Sequence, residues 1–327
     1  MVACCMRIVC ALYAYCMRGS CAGTALGGVR GTHGTHGAHG AGDAHDARDA
    51  RDARNGAPFM RPLCSLYSNF TRANDALMEL LSAIHALKGA SSQRVIAVLP
   101  LFPYSRGGGA AGASRALIPR LFACAGCDHI ITMDLHDPQF LGFFDLPVDN
   151  LVSRGLFQKY IQRNITGYKN AVIVSPDAGG AKRATVLANT LGMDFALVHK
   201  ERDLGTRFHE SDSEMVLVGD VDGKVAILVD DIVDTGQTLI QAAKVLDALG
   251  AITIYAMVTH AILSGNAIEQ INMSKLHKVV VTNSVPQADN VKRCPKLVVL
   301  DVSPIFAEAI RRVHHGESLS MLFDYSL

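Results

Sequence analysis

The sequence lacks an excess of either charge: 31 Lys and Arg stand against 30 Asp and Glu, a net of +1. That balance speaks against a general nucleic-acid or anionic-membrane binder, whose mark is a basic surplus. A long apolar run is missing too. The one candidate, near the start, is bracketed by Arg7 and Arg18, short of the roughly 18 uninterrupted apolar residues that mark a membrane span. There is no disulfide framework either. Of nine cysteines, Cys4, Cys5, Cys10, Cys16 and Cys21 crowd the N-terminus, leaving Cys64, Cys124, Cys127 and Cys294 scattered through the body. Reduced thiols in a cytoplasmic protein are the expectation, and the lone Cys124-Ala-Gly-Cys127 has no second pair at zinc spacing.

What is present is material for packed cores. At roughly 100–200 residues per domain the length suggests about two domains. Apolar residues make up 49% against 19% charged, which excludes a wholly disordered chain. The exception is the leader. Residues 1–23 pair an early Arg with a Cys-rich apolar stretch, and nothing after them reads as secreted. From Thr32 the chain runs through Thr-His-Gly, Ala-His-Gly and Ala-Arg-Asp units to Asn55. A three-residue unit fits neither a helix nor a solenoid period. Residues 1–57 are therefore expected to be a disordered, low-complexity leader.

Beyond Pro58 the texture changes. Asn74–Leu87 has an Asn/Asp cap and apolar residues at helical spacing. Short apolar runs follow at Val95–Leu99, His129–Met133, Ala171–Val174, Phe195–Val198, Val225–Val229, Ile252–Val258, Lys278–Val281 and Leu297–Val299. Helical patterns lie between many of them, notably Lys182–Leu191 and Thr238–Leu249. Buried apolar strands alternating with amphipathic helices indicate an α/β protein with mainly parallel sheets. In such folds ligands sit beyond the C-terminal ends of the strands.

The residues at those ends carry chemistry. Val225-Ala-Ile-Leu-Val-Asp230-Asp231-Ile-Val-Asp234-Thr235-Gly236-Gln237-Thr238 reads as a strand, two carboxylates, a tight turn and a helix start. Free N–H groups at a helix start favour a phosphate, and Thr235 and Thr238 add hydroxyl donors. The paired carboxylates suit a sugar's vicinal hydroxyls or Mg²⁺. The string resembles the phosphoribosyl diphosphate (PRPP) loop of the type I phosphoribosyltransferase fold.

Three further strings narrow the resemblance. Asp134-Leu-His136-Asp-Pro-Gln-Phe-Leu-Gly142-Phe-Phe-Asp145-Leu-Pro147-Val-Asp149 follows one strand, and Ser175-Pro-Asp177-Ala-Gly179-Gly180-Ala-Lys182-Arg183 follows another. His199-Lys200-Glu201-Arg202 closes a third and opens the polar stretch Asp203–Glu214. Together they resemble the ribose-phosphate diphosphokinases, or PRPP synthetases, from about Leu77 to Leu327. A salvage phosphoribosyltransferase would share only the phosphate loop.

The resemblance implies two similar phosphoribosyltransferase-type domains. An abbreviated ATP-side domain would span 58–150 and a domain with the PRPP loop 151–300, with 301–327 packing back on the first. It implies Mg²⁺-dependent transfer of a diphosphoryl group from ATP to the C1 hydroxyl of ribose 5-phosphate, giving PRPP and AMP. Lys200 and Arg202 would be catalytic, on a flap over the transferring group. Asp230, Asp231, Asp234, Thr235, Gly236, Gln237 and Thr238 would bind ribose 5-phosphate, and Arg106 and His136 would bind ATP. Asp134, His136, Asp145, Asp149 and Asp177 would serve the metal. A homo- or hetero-oligomer of PRPP synthetase subunits is implied too, with no nucleic acid and no membrane as partner.

The sequence departs from the family pattern in three places. The leader stands where members have a folded segment, and Tyr67-Ser-Asn-Phe70 lacks the acid that follows this motif in them. After Phe102-Pro-Tyr104 and Arg106, the ATP loop reads Gly107-Gly-Gly-Ala-Ala-Gly112 in place of Gln, Asp and Lys. The helix after Ser114-Arg115 is about five residues short, more than one turn. These departures keep an alternative open: a weak or inactive regulatory subunit of a hetero-oligomer.

Overall fold

The computed structural model describes residues 11–15, 60–61, 73–105, 112–200 and 215–323. Two sheets carry the fold. In the first, β1 (Ala11–Tyr15), β2 (Met60–Arg61), β3 (Arg94–Leu99), β4 (His129–Met133) and β5 (Val148–Leu151) lie in the order β2-β1-β3-β4-β5. β3, β4 and β5 run parallel, and β1 is antiparallel to both neighbours.

The second sheet has seven strands: β6 (Val172–Ser175), β7 (Asp194–Lys200), β8 (Met215–Val218), β9 (Val225–Val233), β10 (Thr253–Ala261), β11 (Leu276–Thr282) and β12 (Leu297–Leu300). Their order is β12-β11-β10-β9-β6-β7-β8, parallel throughout except for the antiparallel β7–β8 hairpin at one edge. The α/β class with mainly parallel sheets is thus as expected.

Helices cover both faces of each sheet, as a parallel sheet requires when its strands are apolar on both sides. On β3 alternate residues face opposite ways. Val95, Ala97 and Leu99 meet α1 (Ala73–Gly89) through Leu77, Leu80, Leu81 and Ile84, and α2 (Gly112–Ala125) through Ile118 and Phe122. Ile96 and Val98 face the other way. In the second sheet Ile173, Ile227 and Met257 pack on α3 (Arg154–Asn164) and α4 (Ala181–Leu191). Its opposite face packs on α5 (Gln237–Ala248) and α6 (Ala267–Met273). After α7 (Ala288–Arg293) and β12, α8 (Ser303–His315) returns to the first sheet. There Ile305, Phe306, Ala309 and Val313 bury Ile96, Val98, Ile131 and Met133.

Two differences from the sequence reading matter. Residues 11–15, inside the stretch expected to be structureless, form β1 beside β3. Tyr13 and Tyr15 favour a strand, a signal that the alanines and the Cys-rich surroundings obscure. The rest of 1–57 lies outside the described residues. β9 also runs four residues past its apolar stretch, through Asp230 and Asp231 to Val233. β10 supplies its backbone partners there, with Val258 opposite Asp230 and Ala261 opposite Val233.

Candidate active site

The site gathers where β9 outruns β6, whose pairing with it stops at Val174 and Leu228. Asp230 and Asp231 are consecutive on the strand, their carboxyls interact with each other, and Asp230 Oδ1 accepts from the Asp231 N–H at 2.8 Å. Asp231 is 2% exposed. Its Oδ2 lies 2.7 Å from His136 Nδ1 and its Oδ1 3.3 Å from an Arg183 guanidinium nitrogen. His136 belongs to the first unit and Arg183 to the second, so one buried carboxylate joins both. Burial pushes Asp231 up, but the hydrogen bond from His136 and the Arg183 charge outweigh it. The carboxyl is held well below the usual carboxylate range. Its neighbour shifts the other way. Burial first, then the Asp231 charge, push Asp230 up to about 8, and Asp177 adds repulsion.

Past β9 the chain turns through Asp234 and Thr235 into Gly236, whose φ of +79° is a left-handed conformation that favours glycine. α5 begins at the next residue, and its first intrahelical bond runs from Ile240 N–H to Gly236 O, 3.0 Å. The N–H groups of the first turn have no acceptor within the helix. A small cavity of about 20 Å³, lined by Asp230, Ile232 and residues 233–239, lies at that turn. Gly236, Gln237 and Thr238 thus stand as a phosphate cradle would need them. Asp234 is engaged elsewhere, for its Oδ1 accepts from Ser264 Oγ.

β6 delivers Asp177 through a turn made possible by Gly180. A Cβ there would stand 3.0 Å from Ser175 Oγ. Asp177 Oδ1 accepts from the Gly180 N–H at 2.8 Å, and the side chain is exposed. α4 then starts at Ala181 and places Arg183 within reach of Asp231. The sequence alone gives Arg183 no role. Its place in the first turn after a Gly-Gly pair was the signal.

His136 follows β4 and Asp134, and the segment behind it is anchored by aromatic packing. A 3₁₀ turn over Pro138–Phe143 is capped by Asp137, whose Oδ1 accepts from Gln139 N at 2.9 Å. Phe140 stacks edge-on to Phe102 and Phe144, with ring centroids 5.4 and 5.5 Å apart. Asp145 lies exposed beyond it. Asp149 turns to His129, whose Nε2 is 2.6 Å from Asp149 Oδ2, while Nδ1 takes a 2.8 Å hydrogen bond from Arg94. Since the guanidinium only donates, the imidazole proton sits on Nε2, toward the carboxylate. Asp134 Oδ2 accepts from Ser153 and Thr259.

The structure therefore brings His136, Asp230, Asp231 and the 235–238 turn into one region, with Asp177 beside Asp230. Asp134, Asp145 and Asp149 point to other partners or to solvent. Among the described residues no three His, Cys, Asp or Glu side chains gather closely enough to cage a metal. Lys200 is the last residue of β7, with its backbone opposite Met215. Arg202 and Arg106 lie outside the described residues. A cavity of about 290 Å³ opens beside His136 and Arg183, walled by Pro138, Phe157 and Leu187.

Residues 203–324 match the family described as phosphoribosyl synthetase-associated domain, and residues 60–123 match the N-terminal domain of ribose phosphate pyrophosphokinase. Ribose-phosphate pyrophosphokinase 5 of Schizosaccharomyces pombe is 50% identical over 283 residues, covering 78% of this chain and 81% of that one. The crystal structure of phosphoribosylpyrophosphate synthetase from Mycobacterium smegmatis superposes with a TM-score of 0.69 at 35% identity, over 80% of this chain and 88% of that one. Identity of 50% over more than three-quarters of the chain, with the shared fold, shows that the chain belongs to the ribose-phosphate pyrophosphokinase family.

Proposed function

We propose that this chain transfers the diphosphoryl group of ATP to the C1 hydroxyl of ribose 5-phosphate, giving PRPP and AMP. The observation that carries this reading is the pairing of His136 with Asp231 beside the 235–238 turn. It sets a nucleotide-side imidazole against the sugar-side loop. The N–H groups at the start of α5, with Thr235 and Thr238, hold the 5-phosphate, and Asp230 faces the ribose hydroxyls. The C1 oxygen attacks the β-phosphorus, the bond from that phosphorus to the α,β-bridging oxygen breaks, and AMP leaves with that oxygen. The hydroxyl proton is lost to solvent or a nearby base. His136 and Arg106 orient the triphosphate, and Lys200 and Arg202 offset charge on the group in flight.

Mg²⁺ fits this site as a substrate-bridged ion rather than a caged one. Mg²⁺ commonly takes one or two carboxylates plus substrate phosphate oxygens. Asp230, whose charge the neighbouring Asp177 opposes, and Asp177 itself are the donors that would hold it. When bound, it supplies charge neutralisation on the phosphate oxygens. We place the protein in the cytoplasm, and no described helix is long and apolar enough to cross a membrane. It works as an oligomer of itself or with related subunits.

The test is AMP formation by the full chain with ATP, Mg²⁺ and ribose 5-phosphate, wild type beside Lys200→Ala. The expected result is AMP and PRPP from wild type and a loss of about 100-fold or more in the variant. No AMP from wild type overturns the reading. Diphosphate released from PRPP and a free base would favour a salvage transferase. The glycine-rich stretch Gly107–Gly112 favours a second reading, a regulatory subunit. That one requires co-purification with an active relative and a change in the relative's rate.

A further inference from the structure

His136 reaches Asp231 from a turn with an unusual backbone. Asp134, the residue after β4, has φ +42°, a region that residues other than glycine rarely adopt. Such strain persists where the surroundings hold it in place. Here the grip comes from three hydrogen bonds to one carboxylate oxygen. Asp134 Oδ2 accepts from Ser153 N at 3.1 Å, Ser153 Oγ at 2.5 Å and Thr259 Oγ1 at 2.7 Å. The backbone is tied as well, since Asp134 N–H donates to Leu151 O at 2.9 Å and Leu135 N–H to Asn150 Oδ1 at 3.1 Å.

Thr259 comes from the second unit, on β10. It is completely buried, as is its neighbour His260. His260 Nε2 lies 3.0 Å from Met133 O, which can only accept, so the proton is on Nε2 and Nδ1 accepts from Ser284 Oγ at 2.8 Å. Thr282 Oγ1 in turn donates to Thr259 O at 2.7 Å. Adjacent residues of one strand thus hold the last residue of β4 and the first residue of the turn, and β11 and the chain after it brace them.

We propose that Thr259 is a positioning residue: its hydroxyl, acting through the Asp134 carboxylate, fixes the strained turn that carries His136 to Asp231. The proposal rests on the reading of His136 and Asp231 as parts of the transfer site. Asp134 is then a latch between the two units. Thr259 lies outside the phosphate loop, so its loss changes how the two halves meet and leaves the sugar-phosphate cradle in place.

The experiment compares Thr259→Val, which keeps the shape and removes the hydroxyl, with Thr259→Ser, which restores it. AMP formation, calorimetric binding of ribose 5-phosphate, the thermal midpoint and hydrogen exchange of residues 134–144 are read on the full chain. Thr259→Val is expected to lower kcat at least tenfold and to speed exchange in 134–144 at least tenfold. Ribose 5-phosphate affinity stays within about twofold, and Thr259→Ser recovers both losses. Unchanged kcat and exchange in Thr259→Val overturn the proposal. So does a parallel loss of kcat, ribose 5-phosphate affinity and midpoint, which marks general damage. If wild type forms no AMP, the transfer reading fails, and the exchange arm decides the latch alone. If Thr259→Val does not fold, Ser153→Ala, which removes the other hydroxyl on the same oxygen, is held to the same outcomes.

Discussion

The seven-stranded unit places polar groups at the ends of β6 and β9, and its left-handed turn at Gly236 leads into a helix start whose first N–H groups have no acceptor within the helix. The five-stranded unit has the same kind of strand ends, but two of the carboxylates there are taken up by hydrogen bonds. Asp149 is paired with His129, Asp134 with Ser153 and Thr259, and Phe140 and Phe144 fill its core. Its His136 reaches Asp231 on β9. Under the proposed function the two units divide the labour: one would hold the sugar phosphate and the other would orient what reacts with it. Binding and turnover should therefore separate on mutation.

The sharpest break of that comparison is Asp230→Asn. Turnover should fall about 100-fold or more, measured as AMP release, because a proposed donor to Mg²⁺ is lost. Stability should move the opposite way, since the carboxylate is held in an environment that resists its charge. Its raised pKa adds stability below the unfolded value of 3.8 and loses it as pH climbs toward about 8. The gain from Asn, read by urea unfolding in metal-free buffer, should therefore be small near pH 3.8 and largest above pH 8.

Phe306→Ala probes the dependence of the first unit on the end of the chain. Phe306 is 3% exposed against β3 and β4, so denaturant melts should show a loss of about 3–5 kcal/mol. Gly236→Ala is gentler. The added Cβ meets Ile240 at 3.5 Å, an ordinary contact, so the cost is conformational, about 1–2 kcal/mol. Carried into the cradle, it weakens ribose 5-phosphate binding by about tenfold in calorimetry. Lys292→Ala should do least. Its 2.8 Å pair with Asp289 is exposed on both sides, and melts should shift by no more than about 0.5 kcal/mol.

Much of the fold was legible because buried parallel strands are continuous apolar runs. Val95–Leu99 and His129–Met133 became β3 and β4 with at most one residue added. β5 was not legible, since Asp149 and Asn150 read as loop until His129 and Leu135 N–H give them partners inside the sheet. β8 shows only a weak alternation of four residues. At the site, carboxylates are visible in a sequence but their partners are not. Asp230 and Asp134 look alike as oxygen donors, and only the hydrogen bond from Thr259 on β10 distinguishes Asp134. The hinge of the account, one buried Asp231 shared by His136 and Arg183, joins residues 95 positions apart in the chain. No local pattern records such a pairing.

The most direct measurement pairs the kcat for AMP formation with the calorimetric affinity for ribose 5-phosphate in wild type and His136→Ala. A kcat lower by about 100-fold with affinity within threefold is the predicted result. An unchanged kcat, or an affinity lost together with kcat, would contradict the division of labour between the two units.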